Sequence, residues 1–61
     1  MKKVTGLSKG DRYYHTDKYG YNSVEEVESV IRNNGRVTIW TTSQRNGWDV
    51  SEKDTEAVEL A

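Results

Sequence analysis

The 61-residue chain contains no cysteine, no proline and no phenylalanine, and its only methionine is Met1. Without cysteine no disulfide can staple the fold and no thiolate zinc site can exist. A domain of this size buries only about 60% of the surface its unfolded chain exposes. Stability therefore rests on a small core of Val, Ile, Leu, Tyr and Trp, with self-association as a further source. No apolar run approaches the roughly 18 residues of a membrane span, and the opening Met-Lys-Lys-Val-Thr-Gly lacks the apolar stretch of an export signal. The expected setting is soluble and cytoplasmic, with no membrane partner. An excess of basic charge is also missing. The net charge is −1 and the pI near 5.7, which argues against a general, strongly basic nucleic-acid clamp. Residues 1–20 carry five positive and two negative charges, a net +3, while residues 21–61 carry four positive and eight negative, a net −4. That polarity can orient the chain on a partner, although a mixed, solvated surface is the more ordinary reading.

What is present describes one small domain over residues 1–61, with 1–9 a loose segment or an edge strand. Ser23 and Glu26 have the S-x-x-E spacing of a capping box. Behind them Val24, Val27, Val30 and Ile31 fall at helical offsets. Glu25, Glu26 and Glu28 sit where a helix dipole favours anions and Arg32 where it favours a cation, and Asn33-Asn34-Gly35 fits a left-handed C-terminal cap. The spacing predicts a helix over 24–33. All four stripe residues are β-branched, which weakens helix propensity, so a strand from Val27 to Ile31 turning at Asn33-Asn34-Gly35 stays open. Arg12 to Thr16 alternates Tyr13 and His15 against Arg12, Tyr14 and Thr16, as a strand would. Arg36 to Ser43 is a second strand, and Asn46-Gly47 reads as a two-residue hairpin turn pairing Arg45 with Trp48 and Ser43 with Val50. In that register Val37, Ile39 and Thr41 share a face with Trp48 and Val50, and Trp40 points the other way, with Lys53 its cross-strand neighbour. Residues 51–61 fit a short helix or a final strand.

The fold class these signals predict is α+β: an antiparallel sheet of three to five strands with one amphipathic helix packed on one face. An alternative rests on two short patches. Gly10-Asp11-Arg12-Tyr13 resembles the opening turn and strand of SH3-like small β-barrels, and Gly47-Trp48-x-Val50 with Val58-x-Leu60 resembles their last two strands. The resemblance implies a barrel in place of the helix-on-sheet arrangement, and a fold alone implies no function.

Little here suggests catalysis. On a strand, Asp11, His15 and Asp17 share a face, as a divalent cation or a carboxylate-oriented base would use. Read blandly, His15 is a surface residue between two turn aspartates. Ser23 is occupied as a cap, and the carboxylates of 49–59 lack calcium-loop spacing. No cofactor or metal is expected, and the chain reads as a non-enzyme. A binding module is the better expectation, a regulator or inhibitor of a kind a phage could encode. Trp40 with Arg36 and Arg45, and secondarily Tyr14 and Tyr19, supply residue types enriched at protein interfaces. Alternatively Trp40 packs under the C-terminal segment and completes a second small core. Nucleic acid is the second partner class, through Arg12-Tyr13-Tyr14-His15 and Lys18-Tyr19-Gly20-Tyr21, where rings could stack and basic groups neutralise phosphate. A homodimer through the Trp40 face is a further option.

Overall fold

In the computed structural model, which describes residues 1–61, the chain runs β1 (Lys2–Lys3), a 3-10 turn (Val4–Gly6), β2 (Arg12–Thr16), β3 (Asn22–Asn33), β4 (Arg36–Thr41), β5 (Trp48–Ser51) and β6 (Ala57–Val58). Strands β2-β3-β4-β5 form one antiparallel sheet in chain order, curled into a half-barrel. A ribbon of β1 and β6 closes its side, with Lys2 opposite Val58 and Lys3 opposite Ala57. Beyond β6 the chain continues against β2: Leu60 bridges Tyr13, Tyr14 N donates to Glu59 O at 2.9 Å, and Ala61 N donates to Arg12 O at 2.8 Å. The C-terminal piece is thus a strand, and the N-terminal one contributes Val4 and Leu7, both fully buried. No helix is long and apolar enough to cross a membrane.

The α+β expectation is overturned, because residues 24–33 lie within the twelve-residue strand β3 and the only helical segment is the three-residue turn. The helical spacing has a β explanation. The first half of β3 pairs with β2, from Asn22 opposite Thr16 to Glu26 opposite Arg12, and the second half pairs with β4. Between them Val27 faces Thr41 and Ser29 faces Trp40, so Glu28 is an inserted residue and the strand bulges. A bulge shifts the side-chain alternation by one. Glu25 and Val27 point inward before it, and Val30, opposite Ile39, after it. Val27 and Val30 therefore imitate a helical step of three, while Val24 and Ile31 lie half-exposed on the outside. Ser23 caps nothing; its hydroxyl donates to Glu25 at 3.3 Å. Four β-branched residues sit comfortably in such a strand.

Asn34-Gly35 is the two-residue hairpin turn, joining Asn33 to its partner Arg36. Both central residues have positive φ, 51° and 74°, as the mirror-image turns of hairpins require. Asn46-Gly47 plays a different part. Ile39 pairs with Trp48 and Val37 with Val50, so the β4–β5 loop spans residues 42–47 and Trp40 has no Lys53 beside it. The slip from the expected register is an even number of residues, so the faces survive: Val37, Ile39 and Thr41 are buried and Trp40 points outward. Tyr13, Leu7, Val4, Val27, Val37, Ile39 and Val58 make the core, with Val30, Trp48 and Val50 against it. Burial of each such aliphatic side chain contributes about 1.5–3 kcal/mol.

Candidate functional site: an outer hollow held from inside by Glu25

Two surfaces of the β4–β5 loop define the site. On the inner side, Glu25 projects from β3 into the curl of the sheet and is only 5% exposed. Its carboxylate accepts from Ser43 Oγ at 2.7 Å, Asn46 Nδ2 at 2.8 Å and Ser23 Oγ at 3.3 Å. Burial alone would raise this carboxyl; the hydrogen bonds from Ser43, Asn46 and Ser23, with His15 nearby, outweigh it and hold Glu25 below the ordinary glutamate range. Ser43 has a single hydroxyl proton, and Glu25 takes it. The 3.1 Å contact between Thr41 Oγ1 and Ser43 Oγ is therefore donated by Thr41. Asn46 is held twice, since Tyr13 Oη also donates to its carbonyl at 2.8 Å. Desolvation raises the Tyr13 phenol above its usual pKa, opposed by Trp48 and reinforced by Glu25. The Trp48 Nε1–H is buried and has no acceptor in bonding geometry. It lies near enough to Tyr13 to oppose that rise without making an aligned bond.

On the outer side, the same loop walls a hollow of about 300 Å³ lined by Thr38, Ile39, Trp40, Arg45, Gly47, Trp48 and Asp49. The ladder explains it. Thr38 and Asp49 are cross-strand partners, and one step further along the register Gly47 comes opposite Trp40. Gly47 has no side chain to fill the space, and none would fit: a Cβ there would lie 2.6 Å from the Ile39 carbonyl oxygen. Trp40 stands at 49% exposure beside this gap, and Ile31, the partner of Thr38 on β3, extends the apolar surface.

Of the residues expected from sequence, Trp40 and Arg45 meet at this hollow. Arg36 lies next to it, its Nη2 at 3.2 Å from both the Asp49 carboxylate and the Asp49 carbonyl oxygen. Tyr14 is elsewhere, lining a second hollow of about 360 Å³ with Thr16, Asn22 and Glu59. Tyr19 is at the β2–β3 turn, with Lys18 Nζ 5.2 Å from its ring centre. The sequence reading missed Trp48, Thr38 and Asp49 as neighbours of Trp40, because it closed β4 onto β5 with a two-residue turn at Asn46-Gly47 where the loop spans residues 42–47. It also missed Glu25; the signal was an acidic residue at an inward position of an alternating strand. Asp11, His15 and Asp17 do not converge on a metal site, and no group of three such side chains does. Lys2 Nζ at 2.8 Å and Ser8 N at 2.9 Å engage Asp11 and hold its carboxyl below the usual range. Asp17 accepts from the Tyr19 and Tyr21 amides and shapes the turn. Comparison with protein-family models, with curated proteins and with solved structures finds no match.

Proposed function

We propose that this chain is a small non-enzymatic binding module, a regulator or inhibitor in type, that engages a protein partner through the outer face around Trp40. The observation that carries the reading is a half-exposed tryptophan beside an open hollow whose wall, the β4–β5 loop, is fastened from behind by Glu25 and Tyr13. Tryptophan and arginine are the side chains most often found to dominate binding energy, and a pre-fastened loop loses little freedom on docking. The potential catalytic groups support the non-enzymatic side of the proposal: the Glu25 carboxylate is engaged by Ser43, Asn46 and Ser23, and Asp11 and Asp17 are engaged in local structure. Cytoplasmic residence belongs to the same proposal.

Nucleic acid is the second reading, favoured by one observation: Tyr19 and Tyr21 are 75% and 74% exposed on the β2–β3 turn, next to Lys18. Rings placed this way can stack on bases. One experiment separates the two. A photo-crosslinking benzoylphenylalanine is placed at Thr38 in one variant and at Tyr21 in another, and nuclease-treated and untreated lysates of the natural host are irradiated. A protein adduct from position 38 that survives nuclease is expected. Adducts only from position 21, lost on nuclease treatment, would replace this reading with the second.

A further inference from the structure

The chain holds two Asn-Gly pairs, and the fold treats them oppositely. An asparagine followed by glycine closes a five-membered ring when the glycine main-chain nitrogen attacks the asparagine side-chain amide carbon. Closure requires the side chain to swing and the Asn–Gly peptide plane to rotate, so any hydrogen bonds on those groups must first break. At Asn46-Gly47 all of them are engaged. Asn46 Nδ2 donates to Glu25 at 2.8 Å, the Asn46 carbonyl oxygen accepts from Tyr13 Oη at 2.8 Å, and Gly47 N donates to Arg45 O at 3.0 Å. Gly47 also presses against β4, where a Cβ would lie 2.6 Å from Ile39 O. At Asn34-Gly35 none is engaged. The pair is exposed at the tip of the β3–β4 turn, and the Asn34 side chain, the Asn34 carbonyl oxygen and the Gly35 N–H make no hydrogen bond. Beyond its chain neighbours, the nearest atom to where a Gly35 Cβ would be is Glu52 Oε1, at 3.7 Å. The one bond to the pair, from Glu52 N to the Gly35 carbonyl oxygen at 2.8 Å, lies outside the plane that turns.

We propose that Asn34 is a self-modification site, converting to aspartate and isoaspartate in the folded chain, while Asn46, in the same dipeptide, is protected by the fold. The co-reactant is water. Hydroxide takes the Gly35 N–H proton, the nitrogen bonds to Asn34 Cγ, and the Cγ–Nδ2 bond breaks, releasing ammonia with a proton from solvent. One water then opens the ring. Breaking the new Cγ–N bond leaves aspartate; breaking the original peptide C–N bond leaves isoaspartate, with the chain running through the side chain. Amide and water become carboxylic acid and ammonia, and nothing is oxidised or reduced. The two products differ in what the turn can hold. Asp-Gly suits a mirror-image hairpin turn as Asn-Gly does, so the aspartate form keeps the hairpin. Isoaspartate adds a methylene to the main chain directly beside the Asn33–Arg36 pair, and that form loosens the end of the β3–β4 ladder. The turn precedes β4, whereas Trp40 lies near the other end of that strand, so this proposal stands apart from the binding-module reading.

The test keeps the full chain in mildly alkaline buffer, folded in one sample and unfolded by guanidinium chloride in a second, and follows both asparagines by peptide mapping in a mass spectrometer. In the folded chain Asn34 is expected to convert, and Asn46 to convert about ten- to a hundredfold more slowly, the cost in rate of giving up a hydrogen bond to a charged group. In guanidinium the two should convert at comparable rates. Asn34→Gly keeps a favoured turn sequence, cannot close the ring at that position, and should leave Asn46 as slow as in the native chain. Equal rates at 34 and 46 in the folded chain would overturn the proposal, since conversion through global unfolding acts on both alike. An Asn34 that stays unconverted in the folded sample would overturn it too. A difference that persists in guanidinium would trace the contrast to the flanking residues and remove the role given to the fold. Each of these results leaves the Trp40 reading to its own crosslinking test.

Discussion

Inside the curl of the sheet Glu25 stays ionised because three donors converge on it, and those donors come mostly from the loop it restrains. Its folded pKa lies below its unfolded one, so its contribution to stability is complete above the unfolded value, about 4.3, and is lost as pH falls through the lower folded value. Glu25→Gln keeps the size but offers one acceptor where two oxygens served. We expect it to cost about 1–3 kcal/mol in urea unfolding at pH 7, and the gap to the native chain to narrow below pH 4. A gap that is the same at pH 7 and pH 3 would contradict the assignment. Asp11, also held below its usual range, leaves a shared acid dependence in both proteins. From sequence alone Glu25 was indistinguishable from Glu26 and Glu28, since its inward direction depends on a strand being read in place of a helix.

At the scale of elements, β3 shows where sequence and structure part. The strand alternation of Tyr13 and His15 in β2, and of Val37, Ile39 and Thr41 in β4, was legible because nothing interrupts it. In β3 the Glu28 bulge converts a period of two into an apparent step of three, and Ser23, Glu26 and Gly35 completed the imitation of a capped helix. Asn46-Gly47 has the sequence of a two-residue hairpin turn but closes the longer β4–β5 loop of residues 42–47, whereas Asn34-Gly35, with positive φ at both residues, makes the tight turn between β3 and β4. The candidate site was half legible for the same reason: the outward direction of Trp40 survives an even slip of register, while its neighbours do not. A pair of substitutions to threonine tests the bulge. Val30→Thr buries a hydroxyl against Ile39 and should cost about 1–2 kcal/mol, whereas Ile31→Thr on the outer face should stay within about 0.5 kcal/mol. Equal losses at 30 and 31 would restore the helical stripe, in which both are core.

For the whole molecule, the shortage of core sharpens the question of what Trp40 does. The chain has seven buried apolar side chains and leaves Tyr14, Tyr19 and Tyr21 exposed as well as Trp40, so exposure alone does not assign the ring a role. Either the ring stabilises the fold or it meets a partner, and its place on the convex side of β4, opposite the buried faces of Val37 and Ile39, separates those roles. The most direct measurement is Trp40→Ala, examined in parallel by urea unfolding and by the nuclease-resistant adduct formed from position 38. The account predicts a folded protein within about 1.5 kcal/mol of the native one, against 2–5 kcal/mol for a core truncation such as Ile39→Ala, together with loss of the adduct. A loss of several kcal/mol from Trp40→Ala, or an adduct that persists undiminished without the ring, would contradict it.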